Sequence, residues 1–217
     1  MATFAFFIGL DAIDDTWLQR STAQLVLRDA QRLATLQQHK RQREFVAARA
    51  LLNALADKLV YPGEVAYYPS GKPYWQTKTG AGYCAISHSH NGVLVGLDNS
   101  HSIGVDIETL RERNLEALVN RYFHADARTA FAHATGRERL DVFYQWWCSR
   151  EALVKYDNST PLLTRLQAPW PEELTATLEQ YQLGDSYLNA IYEGLGHWYQ
   201  ADIASQGFTL TPREPSS

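Results

Sequence analysis

Residues 102–110, with the sequence SIGVDIETL, decide how the rest of the chain is interpreted. Small and apolar residues alternate there with Asp106 and Glu108, a pattern that is typical of a strand. Side chains two positions apart on a strand share one face, so both carboxylates point the same way while Val105 and Ile107 face apolar packing. Two like charges this close repel unless a proton or a cation lies between them. Taken alone, the pattern also fits a half-exposed strand with a polar face.

The segments on either side alternate between helical and strand-like patterns. Residues 14–59 contain neither Gly nor Pro and predict two or three helices. Short β segments follow, and Asn91-Gly92 is a hairpin signal among them. Beyond residue 114 the pattern is helical again, and residues 186–203 are predicted to form a closing hairpin that turns at 194–196. This order predicts an α+β fold.

The composition indicates a soluble, single-unit protein. Its 217 residues are 45% hydrophobic and 20% charged, with a net charge of −4 that argues against nucleic acid or membrane partners. Cys84 and Cys148 are too few for a disulfide scaffold and are expected to be reduced thiols in the cytoplasm. The apolar N-terminus lacks a preceding basic residue, so we expect a buried first strand there and no signal peptide.

A second acidic segment, QWWCSREALVKYD, is predicted to be helical. Glu151 and Lys155 lie at i and i+4, a spacing that can also mean an ordinary surface ion pair. Because Trp146 and Trp147 flank them, this helix is not expected to be freely solvated. Glu151 with the two strand acids would supply three hard oxygen ligands, which suit Mg²⁺.

Basic residues that could bind a phosphate occur in two places. Residues 39–49 include Arg43 and Arg49, and arginine can hold a phosphate through two hydrogen bonds. Lys72 follows Gly71, which lets a ligand approach the backbone closely. A solvated helix face is the alternative, and it is favoured for Lys40 and Arg41 elsewhere in that helix.

Other site types receive little support. His88 and His90 would share a strand face, but no further His or Cys cluster supports a zinc site. The sequence contains no serine-hydrolase elbow, P-loop or dinucleotide-binding glycine motif.

Four motifs occur in an order that resembles one enzyme family. They are Gly-Lys-Pro at 71–73, ISHS at 86–89, IGVDIE at 103–108 and WCSREALVK at 147–155. The combination is similar to the 4′-phosphopantetheinyl transferase family, in its large, surfactin-synthetase-activator-type branch. The resemblance implies two similar α/β lobes in a pseudo-twofold arrangement, residues 1–101 and 102–217, which form one compact monomer with the active site between them.

The resemblance also implies the reaction, which is transfer of the phosphopantetheine arm of coenzyme A to a serine of an apo acyl or peptidyl carrier protein. Adenosine 3′,5′-bisphosphate would be released and Mg²⁺ would be required. The matched positions imply the following roles: metal ligands Asp106, Glu108 and Glu151; general base Glu151; pyrophosphate and leaving-group contact Lys155; coenzyme A contacts Arg43, Arg49, Lys72, Pro73, Ser87, His88, Asp106 and Lys155.

Two departures from the family pattern stand out. Arg150 replaces a frequent Lys, which keeps the charge, and residues 156–163 replace a glycine-rich loop, which leaves the choice of carrier open. Two other functions use the same residues: a Mg²⁺-dependent nucleotide phosphohydrolase, with water as acceptor, and a non-catalytic module that binds carrier protein or coenzyme A. The pathway and the choice between Mg²⁺ and Mn²⁺ also stay open.

Overall fold

The structure is a computed structural model, and it describes residues 1–111, 113–157 and 160–213. The strands are β1 Ala2–Ile8, β2 Glu64–Tyr67, β3 Pro73–Gln76, β4 Ala81–Ser89, β5 Gly92–Asp98, β6 Gly104–Thr109, β7 Thr177–Leu183, β8 Ser186–Tyr192, β9 Gly196–Ile203 and β10 Phe208–Arg213. The helices are α1 Asp15–Thr22, α2 Leu27–Ala34, α3 His39–Lys58, α4 Leu115–Tyr122, α5 Ala125–His133, α6 Gly136–Asp157 and α7 Leu162–Gln167. The predicted α+β class is confirmed.

The strands form two sheets of unequal size. The larger has seven strands in the order β10-β9-β1-β5-β4-β3-β2, and the smaller has three in the order β6-β8-β7. β1 is buried at six of its seven positions, as the apolar N-terminal sequence predicts. All seven residues of β5 and of β8 are buried, because both faces of each strand are covered: β5 packs against α3 and β6, and β8 packs against α6 and the larger sheet.

Helix α3 covers one face of the larger sheet. Its apolar side chains at Leu51, Leu52 and Leu55 are fully buried against Val93, Val95 and others of the sheet. The opposite face packs against the smaller sheet through a cluster that includes Phe4, Ile107, Leu188 and Trp198. β6 is therefore held directly beside the larger sheet, with its apolar side buried there.

The predicted closing hairpin is wrong. β8 pairs with β6 and β7 in the smaller sheet, whereas β9 runs parallel to β1 in the larger one. The hairpin partner of β8 is instead β7, across a turn at Gly184, whose φ of 57° lies in the left-handed region that glycine tolerates. Since β9 and β10 join the sheet that β1 begins, the larger sheet contains strands from both sides of residue 101. The division into two similar lobes stays a prediction.

Among the described residues, no helix combines the length and the apolar character needed to cross a membrane. Both cysteines are buried free thiols. Burial raises the pKa of Cys84 to about 12 and that of Cys148 well above its ordinary value, so neither is poised to react as a thiolate.

Candidate active site

The two strand carboxylates lie where β4 of the larger sheet meets β6 of the smaller one. Ser87 Oγ donates to Asp106 Oδ1 at 2.8 Å, and Ser89 Oγ donates to Glu108 Oε2 at 2.7 Å. The same hydroxyls accept from the backbone N–H groups of Ile107 and Thr109. Serines two positions apart on β4 thus match carboxylates two positions apart on β6, as the shared-face prediction for Asp106 and Glu108 requires.

Helix α6 brings a lysine and a third acid to Asp106. Lys155 Nζ lies 2.7 Å from Asp106 Oδ1, 2.8 Å from Ser87 Oγ and 3.9 Å from Glu151 Oε2. This approach requires glycine at position 104, because a Cβ there would come within 2.0 Å of the Ala152 carbonyl oxygen. The sequence therefore lets the helix backbone touch the strand that bears Asp106.

Glu151 occupies an environment that disfavours its charge. Burial, and next the negative charge of Asp106, raise its pKa to about 7. Trp147 Nε1 donates to Glu151 Oε1 at 2.8 Å and fixes the orientation of the carboxyl group. Burial also disfavours charge on Lys155, but the carboxylates of Asp106 and Glu151 outweigh it and raise the pKa of the ammonium. The set therefore contains an acid able to exchange a proton near neutral pH beside a permanently charged lysine.

The residues present fit a divalent cation in part. Asp106 Oδ2 is buried with no hydrogen-bond partner, so one hard oxygen of this side chain is left for a ligand. Glu151 is near enough for the charge of Asp106 to raise its pKa, after burial as the largest cause. Glu108, however, is engaged by Ser89 and by Arg111 and Arg113. Among the described residues no three His, Cys, Asp or Glu side chains form a ready coordination group, for zinc or for magnesium.

A pocket of about 220 Å³ adjoins this set. Lys72, Pro73 and Lys155 line it together with residues of β4, so the predicted Gly-Lys-Pro loop and the helix lysine share one cavity. Gly71, with φ of 86°, makes the turn that places the loop there. Lys72 Nζ itself donates to the carbonyl oxygen of Tyr156 at 2.9 Å, near the end of α6.

His88, one of the predicted phosphate contacts, lies against a buried acid that the sequence did not single out, Glu44. His88 Nδ1 lies 3.2 Å from Glu44 Oε2, and Arg41 Nη1 lies 3.0 Å from the same oxygen. Burial lowers the pKa of His88 in spite of this carboxylate. Arg43, the residue before Glu44, is half-buried and its Nε has no hydrogen-bond partner. Lys40 also approaches Glu44, and both Lys40 and Arg41 are more than half exposed, as the prediction of a solvated face requires.

Two other arginines considered from the sequence, Arg49 and Arg150, are held by specific contacts. Arg49 is buried, with Nε 3.0 Å from Asp29 Oδ2 and its guanidinium over the Phe45 ring, so a phosphate role for it stays a prediction. Arg150 keeps its charge but is packed between Trp146 and Trp170, and burial lowers its pKa to about 10. In the altered loop 156–163, Asn158 and Ser159 lie outside the described residues.

Ser89 and Glu44 are the functional candidates that sequence reasoning missed. Ser89 could have been found, since the serine spacing on β4 repeats the acid spacing on β6. Glu44 gave no such signal, because an acid within a basic helical run is ordinarily a surface ion-pair partner.

Carboxylates and a lysine beside a pocket are side chains of the kind that phosphoryl-transfer sites use. Comparison with known proteins narrows that class. Residues 102–197, which include Asp106, Glu108, Glu151 and Lys155, match the model of the 4′-phosphopantetheinyl transferase superfamily.

The relatives with similar sequences carry the same name. The 4′-phosphopantetheinyl transferase AcpT of Escherichia coli O157:H7 is 29% identical over 119 residues, which cover 54% of this chain and 59% of the relative. The 4′-phosphopantetheinyl transferase HetI of Nostoc sp. is 28% identical over 120 residues, covering 52% of this chain and 51% of the relative. The chain thus spans between half and three fifths of the length of these relatives.

Proposed function

We propose that this protein transfers the 4′-phosphopantetheine arm of coenzyme A to a serine hydroxyl of an apo acyl or peptidyl carrier protein. Adenosine 3′,5′-bisphosphate is the second product, and the reaction depends on Mg²⁺. The observation that carries the proposal is the convergence of Asp106, Glu151 and Lys155 beside the pocket, within the segment that matches the superfamily.

In the proposed reaction, one phosphorus–oxygen bond forms and one breaks. The carrier serine oxygen bonds to the phosphorus that bears the pantetheine, and the bond from that phosphorus to the bridging oxygen breaks. The bridging oxygen leaves with the electron pair as part of adenosine 3′,5′-bisphosphate. The serine proton passes to an oxygen of Glu151, whose pKa of about 7 lets it accept a proton at neutral pH.

Lys155 acts on the leaving group. Its ammonium lies 2.7 Å from Asp106 and is held on the wall of the pocket, where it can donate to a pyrophosphate oxygen and stabilise the charge that develops there. Asp106, Glu108 and Glu151 would hold the Mg²⁺, which when bound neutralises pyrophosphate charge. Trp147 keeps Glu151 in place during the reaction.

The nucleotide end of coenzyme A is assigned to the Gly-Lys-Pro loop, the end of β4 and the start of α3. Lys72 and Pro73 would contact the adenine side, while Ser87, His88 and Arg43 would contact the 3′-phosphate. Binding energy from this end, which takes no part in bond breaking, can align the reacting phosphorus with the incoming serine. We also expect the protein to act as a monomer in the cytoplasm.

The test is transfer of labelled phosphopantetheine from coenzyme A to a panel of apo carrier proteins, with Mg²⁺ or with a chelator. We expect labelling of at least one carrier, dependent on the divalent ion and lost when the carrier serine is replaced by Ala. Absence of labelling across peptide, polyketide and fatty-acid carriers would contradict the proposal. Release of phosphopantetheine into water without a carrier would favour the phosphohydrolase instead.

A further inference from the structure

Each carboxylate of β6 has a serine and a side-chain cation against it. Asp106 accepts hydrogen bonds from Ser87 and Lys155, and the proposed function uses that lysine. Glu108 accepts hydrogen bonds from Ser89 and Arg111, and the proposed function gives this arginine no role. The repeated arrangement raises the question of what the second cation does.

Two arginines share the second position. Arg111 Nη2 lies 3.4 Å from Glu108 Oε2 and 3.2 Å from Ser89 Oγ, and Arg113 Nη2 lies 3.6 Å from the same carboxylate oxygen. Both guanidinium contacts with Glu108, and the hydrogen bond from Ser89, converge on Oε2 of Glu108. Two positive charges therefore balance one carboxylate that is only 14% exposed.

The backbone of Arg111 is fixed by α6, whereas its side chain is held by polar contacts with Ser89 and Glu108. Tyr144 of α6 accepts a hydrogen bond from the Arg111 backbone N–H at 3.0 Å, and the Arg113 guanidinium lies 5.9 Å from the centre of the same ring. The Arg111 side chain is 43% exposed, so it can rotate away from Glu108 without moving the backbone. Lys155, in contrast, lies on a helix packed against the strand and is 31% exposed.

We propose that Arg111 and Arg113 are positioning residues that neutralise Glu108 and oppose a divalent cation at that carboxylate. An ion that binds Oε2 of Glu108 must displace their guanidinium groups, and an ion that binds the other oxygen of the carboxylate still meets their positive charge. The proposal rests on the proposed function only for the presence of a divalent ion at the β6 acids, and not for the transfer reaction.

The physical reason is charge repulsion together with competition for one oxygen. A guanidinium within a few ångströms of a divalent cation raises the free energy of the bound state, and the effect weakens as salt screens the exposed side chain. Removing the charge of Arg111 removes one of the two cations from Glu108 and reduces the repulsion, so it should tighten binding. A purely structural role for the arginine predicts the opposite or no change.

The test is a titration with Mn²⁺ alone, followed by the electron paramagnetic resonance signal of the free ion. We expect R111Q to bind Mn²⁺ about three- to tenfold more tightly than the unaltered chain, and R111Q/R113Q more tightly still. R111K, which keeps the charge, should stay close to the unaltered chain. The gain should shrink at high salt. The matched control is R121Q, since it removes the same charge from exposed Arg121, which lies against the Tyr122 ring in α4.

Several results would overturn the proposal: equal or weaker Mn²⁺ binding by R111Q, an equal gain in R121Q, or no Mn²⁺ binding by any variant at millimolar ion. Should R111Q fail to fold by circular dichroism, R113Q tests the same contact from the other arginine. Because the readout is ion binding, Mn²⁺ binding without phosphopantetheine transfer contradicts the proposed function and leaves the role of the arginines standing. Tighter Mn²⁺ binding by R111Q, and not by R121Q, is the result we expect.

Discussion

Asp106 and Glu108 are two residues apart on one strand and share one face, yet their surroundings differ. The Asp106 side chain is 2% exposed, and its partners Lys155 and Ser87 come from a helix and a strand that are packed around it. Glu108 is 14% exposed, and its cations come from the segment just after β6. One carboxylate lies inside the junction of the two sheets, and the other lies at its rim.

The different burial of Asp106 and Glu108 suggests different roles for them, although the alternating sequence pattern presents both in the same way. A buried carboxylate loses hydration and depends on its partners, so the Asp106–Lys155 pair is expected to matter both for stability and for chemistry. A rim carboxylate is screened and is easily re-paired, so Glu108 is suited to exchanging partners. The predictions below test this division.

The largest expected effect comes from D106N. Replacing this carboxylate by an amide of the same shape removes the partner of Lys155, so we expect transfer to fall at least about 10³-fold and the free energy of unfolding to fall by about 3 kcal/mol. E108Q at the rim should lower the free energy of unfolding by less than about 1 kcal/mol and transfer by a smaller factor. Urea unfolding and the carrier-labelling assay measure the two quantities.

A double variant separates the lost charge pair from lost folding. D106N/K155M removes both charges together and should recover part of the stability that D106N loses, while transfer stays absent. If D106N and E108Q have equal effects on stability and on transfer, the distinction between the buried and the rim carboxylate is incorrect.

Local patterns in the sequence predicted much of the site. The alternation around Asp106 and the i,i+4 spacing of Glu151 and Lys155 place these side chains on known faces of a strand and a helix. The observed helix α6, Gly136–Asp157, contains the segment predicted to be helical, so Lys155 reaches the strand acid as its position requires.

Features that depend on distant pairing could not be predicted in this way. The sequence at 194–196 has the glycines of a hairpin turn, but β9 gains a better partner in β1, almost the whole chain away. Ser89 meets Glu108 across two different sheets, a contact that no ladder register specifies. Arg111 lies in a loop, where an arginine near an acid has no fixed direction until the fold supplies Tyr144 as an anchor.

A pH titration of stability tests which strand acid raises the pKa of Glu151. The pKa of its carboxyl is about 7 in the folded protein and about 4.3 in an unfolded chain. Between these values the unfolded state releases the proton first, so rising pH favours unfolding, and the effect levels off above about pH 7. With chelator present, the free energy of unfolding should fall by on the order of 1–2 kcal/mol across this window relative to E151Q.

The two strand acids should contribute unequally to that titration. Asp106 raises the pKa of Glu151 more than Glu108 does, after burial as the largest cause. The pH range over which the free energy of unfolding falls should therefore narrow more in D106N than in E108Q. A difference between the unaltered chain and E151Q that stays constant from pH 4 to pH 8 would show that Glu151 titrates normally and that its burial has been misjudged.

The two serines test the same comparison through a single hydrogen bond to each carboxylate. S87A leaves Asp106 with Lys155 as its remaining hydrogen-bond donor in a buried position, and a hydrogen bond to a charged group contributes about 2 kcal/mol. S89A removes the equivalent bond to Glu108, but two arginines stay in contact with that carboxylate, so we expect a loss of about 1 kcal/mol. Chemical denaturation of the two variants compares them directly. Both hydroxyls also accept one backbone N–H and one side-chain cation, Lys155 for Ser87 and Arg111 for Ser89, so the two variants remove hydrogen bonds of the same kinds. A larger loss for S89A than for S87A would mean that the rim carboxylate depends on its serine as much as the buried one does, and that the arginines contribute little to holding Glu108.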